Sequence, residues 1–500
     1  MKGCFLLQRR FAYLGHHVVK LLKEKHGVTD FCAYVHLRSS YEFLKKQKDI
    51  VYSSLILDED VHEKYREEKL DIVYLRWLEK EYGLPNLWPF IAPDRIIMSG
   101  QLVREYPYSQ PRYTHEEMLR ILQVKAKTII AFLEKEKPDF VVFAAIGSIA
   151  PLLLYHIAKK KGIKTLCLTL NFLPNRAVLA ERYDYFSPEG INQDTKNVEF
   201  SVSPENWLMA ENLVTQFRDN PQKYSEIHNH KKQKVRYLQQ FSFLKPQQLA
   251  KSVRWFLHLL AEHVTSHERR DYSYVHPWHF FIDRTKRALR NIQPVTYDPY
   301  ESESDFAFFP LQFEPEISLL LLAPFMTDQL YVIKQIAQSL PVGMCLYVKE
   351  HPHMVPYRPR SFYRDLKKIP NVKLINPTIN SFDAIQKSKL VTVITGTAGW
   401  EAVLLKKPVI TFGDIFYNTL SFVKKCETIS QLPQIVKEQL AHFTHDEKEL
   451  VGFVAKGLEQ STTVDLLYLW ERETDKTKII NGLEPLANLV ATMASSKILK

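Results

Sequence analysis

Apolar and polar residues alternate along this chain in two rhythms, and the places where one rhythm gives way to the other predict its elements. At the start, a short apolar strand over 3–8 is followed by the helical periodicity of "FAYLGHHVVKLLKEKHG", stopped at Gly27, and then by a second strand, "DFCAYVHL". Further on, "HEEMLRILQVKAKTIIAFLEKEKPDFVVFAA" places Met118, Ile121, Leu122, Ile129 and Leu133 on one helical face, and Pro138 closes that helix ahead of an apolar strand. The unit repeats through "IAPLLLYHIAKKKGIKTLCLTL". Residues 1–200 therefore read as one α/β domain on the N-terminal side.

From 201 to 304 the strand signal fades. The text becomes basic, His-rich and aromatic, with helical spacing in "QQLAKSVRWFLHLLAEHV" and a Pro/Tyr-rich exit at "NIQPVTYDPYESESD", and is expected to be a helical insertion and linker. The α/β rhythm returns at 305. Strand "DFAFFPL" precedes the helix "TDQLYVIKQIAQSL", for which Thr327 is the expected N-cap and Pro341 the stop. Strands "MCLYVK", "NVKLIN", "LVTVIT" and "PVITFG" then alternate with helices as far as 426, and 427–500 reads as a helical tail. Such alternation predicts an α/β fold with two Rossmann-like domains facing a cleft, each a mostly parallel sheet covered by helices.

Composition adjusts this picture in three ways. At 500 residues the chain exceeds one ordinary core. Its five cysteines are scattered without CxxC spacing, which suits a reducing cytoplasm, and no apolar run approaches the roughly 20 residues that cross a bilayer. The net charge of +11 is concentrated: between Arg218 and Arg290 stand 15 lysines and arginines against 6 acids. A patch of that kind meets phosphates, an anionic lipid surface or an acidic glycan, unless it is simply a solvated face. Peripheral contact with the inner face of the cytoplasmic membrane is the expected partner, and nucleic acid is not.

Candidate chemistry falls where strands end, which is where open α/β sheets bind ligands. "YVKEHPHM" ends a strand in Lys349, Glu350, His351 and Pro352, and an imidazole N–H there can hold a phosphate oxygen. A turn histidine beside a proline explains an isolated His-Pro equally well. "TGTAGWEA" runs a strand into Gly396, Thr397 and Ala398 and opens a helix whose free amides can bind phosphate. Glu401 follows, either to accept from ribose hydroxyls or to offset the helix dipole. "FFPLQFEPE" places Gln312, Glu314 and Glu316 after a third strand.

In the N-terminal half, "WLEKEYGLPNLWPFIAPDR" gathers Glu79, Glu81, Asp94 and Arg95 near Trp77 and Trp88, and Glu81 or Asp94 is the expected catalytic base. Gly147 and Ser148, and then Asn171, Asn175 and Arg176, also follow strands. "LDED" at 57–60 spells an acid-x-acid pattern that holds metals in some sugar transferases, but capping of the next helix accounts for it and no metal or other cofactor is assigned. No GxxxxGK[ST], HExxH or GxSxG occurs, which removes P-loop ATPases, zincins and α/β-hydrolases from consideration.

Over 305–415, "FFPLQFEPE", "DQ" at 328–329, "LYVKEHP" and "TGTAGWEAVLLKKPVITFG" stand in the order and spacing of a known family. The chain resembles the bacterial capsule polysaccharide biosynthesis proteins that include the capsule β-Kdo transferases, with "EYG…DR" a weaker echo in the N-terminal half. The resemblance implies a GT-B fold whose C-terminal domain holds a nucleotide-sugar donor, with CMP-Kdo or another CMP-sugar expected and a glycan or glycolipid as acceptor. It maps the donor-phosphate His-Pro onto His351 and Pro352, the phosphate loop onto Gly396 and Thr397, and the helix carboxylate onto Glu401. Relatives often carry a Gly-Ser-Thr form where this chain has Thr-Gly-Thr-Ala-Gly. The expectation is a metal-independent, inverting glycosyltransferase. Two rivals stay open: a nucleotide-sugar epimerase of the same architecture, and a non-enzymatic basic protein that binds glycan or nucleic acid.

Overall fold

The computed structural model describes the chain except for residues 9–10, 84, 100–110, 171–172, 174, 184–201, 223–245, 266–271, 273–276, 293–294 and 497–500. The first half contributes strands β1 (Lys2–Leu7), β2 (Asp30–Val35), β3 (Tyr52–Leu57), β4 (Phe140–Phe143), β5 (Lys164–Leu170) and β6 (Arg176–Ala180). The second contributes β7 (Phe306–Pro310), β8 (Cys345–Lys349), β9 (Val372–Ile375), β10 (Leu390–Val393), β11 (Val409–Thr411) and β12 (Val423–Lys425), and β13 (Thr462–Thr463) returns to the first sheet.

The contacts divide the chain into two compact units. The first holds the described residues of Met1–Gly100, Ser109–His230 and Asp446–Lys500, and the second those of Lys231–His445. The expected boundaries cut the chain into four consecutive pieces; the contacts join the C-terminal helices to the first unit instead of leaving a separate tail. Helix Lys476–Ser495 supplies Leu483, Leu486, Ala487 and Val490 to the same core as Phe5, Phe31 and Phe140, and Lys25 Nζ lies 2.5 Å from Glu484 Oε1. Burying four such side chains contributes about 1.5–3 kcal/mol for each large one. Similarly, helix Pro204–Asp219 belongs to the first unit, where Arg218 pairs with Glu447 at 2.5 Å.

In the first unit the strand order is β13-β6-β5-β4-β1-β2-β3, parallel from β5 through β3 and antiparallel at β6 and β13. Its longest helix, His115–Glu136, starts in a capping box: Glu117 N donates to Thr114 Oγ1 at 3.3 Å, and Thr114 N donates to Glu117 Oε2 at 2.8 Å. Met118, Ile121, Leu122, Ile129 and Leu133 are all buried, as one helical face facing a sheet requires.

In the second unit all pairings are parallel and the order is β12-β11-β10-β7-β8-β9. Numbered within the unit, that is the 3-2-1-4-5-6 order of a doubly wound sheet, with its switch point between β7 and β10. The strand runs are continuously apolar because helices cover both faces. One local correction concerns the helix expected after β7: a short helix, Ile317–Leu322, comes first, and the expected one runs Gln329–Ser339 with Asp328, whose Oδ1 accepts from Tyr331 N at 3.1 Å, as N-cap rather than Thr327.

Candidate functional site

At the switch point of the second unit, the chain leaving β7 and the chain leaving β10 are fixed to one another by a single side chain. Gln312 Oε1 accepts from Thr395 N at 3.1 Å while its Nε2 donates to Thr395 Oγ1 at 3.0 Å. Gln329 holds Gln312 in turn: its Oε1 accepts from Gln312 N at 2.8 Å, and its Nε2 donates to Gln312 O at 3.1 Å and to Glu314 Oε1. Gln312 is buried, so it shapes the strand ends and is not itself presented to a ligand. This corrects the expectation that it binds the donor directly.

The turn after β8 is built around an arginine that sequence reading passed over. Arg358 is fully buried, and its guanidinium donates Nε to Glu350 Oε2 at 2.6 Å, Nη1 to Glu314 Oε2 at 3.0 Å and Nη2 to Gln312 O at 3.0 Å. Burial works against the charge, but Glu350 and Glu314 outweigh it and raise the Arg358 pKa above its ordinary value. Glu350 is saturated too: Tyr363 OH donates to Oε2 at 2.8 Å and His351 N to Oε1 at 2.7 Å. Its carboxylate is therefore a positioning group for the turn, not a donor-binding one, a second correction. Nothing in "HPHMVPYRPR" distinguishes Arg358 from a solvated loop arginine; only the fold brings the two glutamates to it.

Within the motif, Lys349 is also turned inward, donating Nζ to Ser381 Oγ at 2.6 Å at the start of helix Ser381–Lys387. His351 and Pro352 are half-buried. Backbone N of His353 donates to His351 Nδ1 at 3.3 Å, which in the neutral imidazole leaves the proton on Nε2. The ring stands perpendicular to Phe313, centroids 5.9 Å apart, so the loop after β7 and the turn after β8 meet at this imidazole.

The third part is the start of helix Thr397–Leu404, with Gly396 as N-cap. Thr397 is exposed and Gly396 and Ala398 are half-buried, so the first turn opens to solvent. Tyr417, buried behind it, donates its hydroxyl to Gly396 O at 2.7 Å. Burial raises the Tyr417 pKa, and Glu401 nearby raises it further, so the phenol remains a donor. Glu401 is buried as well. At Gly399 a Cβ would meet Tyr417 Oη at 2.2 Å and Val393 Cγ2 at 2.8 Å, whereas at Gly396 the nearest atom, Gln312 Cγ, lies 3.7 Å away. The glycine that this geometry demands is thus Gly399. Open helix amides follow β10 and an imidazole Nε2–H follows β8, on either side of β7, and each is a group suited to a phosphate.

The candidates in the first unit are scattered among unrelated jobs. Asp94 is buried, and its carboxylate accepts from Ile96 N (3.1 Å), Ile97 N (3.2 Å) and Ile149 N (3.1 Å), tying two helix starts together. Burial pushes its carboxyl up. A carboxylate buried to 1% exposure and engaged by three backbone amides is not presented to an acceptor hydroxyl, which corrects its assignment as base. Glu81 remains accessible, 3.8 Å from Lys160, and Glu79 Oε1 accepts from Leu87 N at 3.1 Å. Ser148 is the N-cap residue of helix Ile149–Lys160, and Arg176 Nη1 donates to Leu458 O and Ser461 O, both at 3.2 Å. The "LDED" acids separate onto different partners: Asp58 pairs with Lys125 at 2.5 Å inside the fold, Glu59 accepts from Arg38 N at 2.9 Å, and Asp60 meets Arg38 Nη2 at 2.5 Å. Asn171 lies outside the described residues.

A chain of two α/β units, the second a doubly wound sheet with polar loops at its strand ends, is the class of protein that this fold defines. Residues 189–430 match the model of the family described as capsule polysaccharide biosynthesis protein. That is just under half of the chain, and it takes in the whole second sheet. The resemblance to that family read from the sequence therefore holds over the segment that carries the site. The chain is also 30% identical, over 139 residues, to protein FixF of Sinorhizobium fredii (strain NBRC 101917 / NGR234), covering 27% of this chain and 33% of that protein. The match thus spans about a third of that relative's length. Among solved structures, the β-Kdo 2,7 transferase KpsC of Thermosulfurimonas dismutans aligns at 13% identity over 73% of this chain and 89% of its own, with a TM-score of 0.35. The UDP-GlcNAc 2-epimerase of Methanocaldococcus jannaschii aligns at 13% identity over 92% and 99%, with a TM-score of 0.26. Likenesses at this level decide nothing about chemistry.

Proposed function

We propose that this chain is a metal-independent, inverting glycosyltransferase that moves a sugar from a nucleotide-sugar, CMP-Kdo or another CMP-sugar, to a surface polysaccharide or glycolipid acceptor. The observation that carries this reading is the convergence at the second unit's switch point: the exposed helix start at Thr397 and the His351 imidazole both border the loop that holds Gln312 and Phe313. Ligands of doubly wound sheets bind at such a crevice. The family match over 189–430 supports capsule polysaccharide synthesis as the setting.

In this reading the acceptor oxygen attacks the anomeric carbon as the bond from that carbon to the phosphate oxygen breaks, and the bonding pair stays on the phosphate. His351 Nε2–H and the amides of Thr397 and Ala398 stabilise the growing charge, held in place beforehand by Arg358, Glu350 and Tyr417. The acceptor proton goes to a carboxylate, and of the two expected from the sequence Glu81 is the one whose side chain stays accessible. The test is incubation of the purified protein with a panel of nucleotide-sugars, with and without a capsular oligosaccharide acceptor. Free nucleotide and an extended oligosaccharide, both requiring the acceptor, are expected. Conversion of the donor to its epimer without acceptor would replace this reading with the epimerase one.

A further inference from the structure

Two helices of the second unit, Pro246–Thr265 and Pro277–Ile292, pack on each other through Trp255 against Phe280 (5.4 Å) and Phe256 against Phe281 (6.3 Å), and both leave an apolar stripe in solvent. On the first helix Val253, Leu257, Leu260 and Val264, spaced i, i+4, i+7 and i+11, are all exposed, Val264 to 76%. On the second, Trp278, Ile282, Leu289 and Ile292, spaced i, i+4, i+11 and i+14, share one face, with Trp278 exposed to 58% and Phe281 beside it to 49%. The opposite sides of the second helix are engaged: Arg284 lies over Trp255 at 4.9 Å, and Arg287 Nη1 donates to Tyr357 OH at 3.0 Å. Cations border the open stripes, Arg254 on the first helix and Lys286 on the second, within the stretch where 15 basic residues stand against 6 acids.

We propose that this helix pair is a docking surface for an anionic phospholipid bilayer, lying along the headgroup boundary with Trp278 and Phe281 inserted and the flanking lysines and arginines on lipid phosphates. A continuous exposed apolar stripe, aromatic side chains and a cationic rim are together the composition of an interfacial helix. Neither helix is apolar enough to cross a membrane. Charge complementarity selects a bilayer of anionic lipid over a second copy of the chain, because two copies would bring their cationic rims together. The pair is also fastened to the turn that carries His351: besides Arg287, Arg290 Nη1 donates to Tyr357 O and Arg360 Nη2 to Arg290 O. Docking there sets the orientation of the second unit's site against the surface.

The test is flotation of the full chain with vesicles of phosphatidylcholine, with and without phosphatidylglycerol, at low and high salt, compared with Trp278→Glu/Phe281→Glu and, separately, Arg254→Gln/Lys286→Gln. Circular dichroism checks that each variant is folded. Binding is expected only to the anionic vesicles, weakened by salt, lost by at least about tenfold in the first variant and reduced in the second. Absence of binding to anionic vesicles at low salt, or binding equal in the folded Trp278→Glu/Phe281→Glu variant, would overturn the proposal. So would a concentration-dependent dimer that this variant abolishes, since a second copy would then be the occupant.

Discussion

Replacing Arg358 by alanine is the sharpest probe of how the site is held. The guanidinium makes three donor contacts at 2.6 to 3.0 Å, and its face lies 4.6 Å over Phe362. Without it the Glu350 carboxylate, 1% exposed, is left with only a phenol and one amide as partners. Removing one partner of a buried ion pair costs about 3–5 kcal/mol, much of it the penalty of the stranded charge. Against a domain stability of about 5–15 kcal/mol, that is a large fraction. For a unit of this size each kcal/mol moves the midpoint by about 2–4 °C, so the transition of the second unit should fall by roughly 10 °C. Because the two units need not unfold together, hydrogen exchange of the β8 and β10 amides should accompany the calorimetric scan. Arg358→Met combined with Glu350→Gln removes both charges and should cost less than Arg358→Ala alone. A midpoint for Arg358→Ala within about 1 °C of the parent, or a double variant no milder than the single, would refute the argument.

Two glycines near the same strand end should behave oppositely. Gly399→Ala drives a methyl into Tyr417 and should destabilise the second unit by about 1–3 kcal/mol, whereas Gly396→Ala, with its nearest protein neighbour at 3.7 Å, should leave the midpoint nearly unchanged in paired melting. A pH effect is expected in the first unit from His62. It is fully buried, and burial, then Lys125, Arg112 and Arg66, lower its pKa well below 6.5. The unfolded chain therefore takes up a proton below 6.5 that the folded one refuses, and stability should fall by up to about 1.4 kcal/mol for each pH unit below that value. Denaturant titrations between neutral and mildly acidic pH should show that slope, and His62→Phe, where it folds, should flatten it.

The second sheet was legible because its strands are short, apolar throughout and separated by capped helices: "DFAFFPL", "MCLYVK", "NVKLIN" and "LVTVIT" became β7, β8, β9 and β10 within a residue or two. β3 was not, since Ser53 and Ser54 dilute its run, and β6, which pairs antiparallel with β5, was not read as a strand either. The return of Lys476–Ser495 to the first core could not be read locally: its nearest partner helix, Phe11–His26, is the whole chain away, and His26 Nε2 meets Asn488 Oδ1 at 2.9 Å. In the site, residue types and strand-end placement pointed to His351, Gly396 and Thr397. What sequence could not separate was which polar groups face out and which hold the frame. Lys349, Glu350 and Gln312 carry ligand-like chemistry in the text, but in the fold each spends it on Ser381, Arg358 or Thr395.

The central claim is that a nucleotide's phosphate sits against His351, at the strand ends next to the second unit's switch point. Calorimetric titration of the protein with CMP, CDP, UMP, UDP and GDP, repeated on His351→Ala, tests it most directly. The account predicts selective binding of one nucleotide, with CMP or CDP foremost, weakened at least about tenfold by loss of a charge-assisted hydrogen bond in the variant. Binding of no nucleotide, or binding indifferent to the substitution, would contradict it.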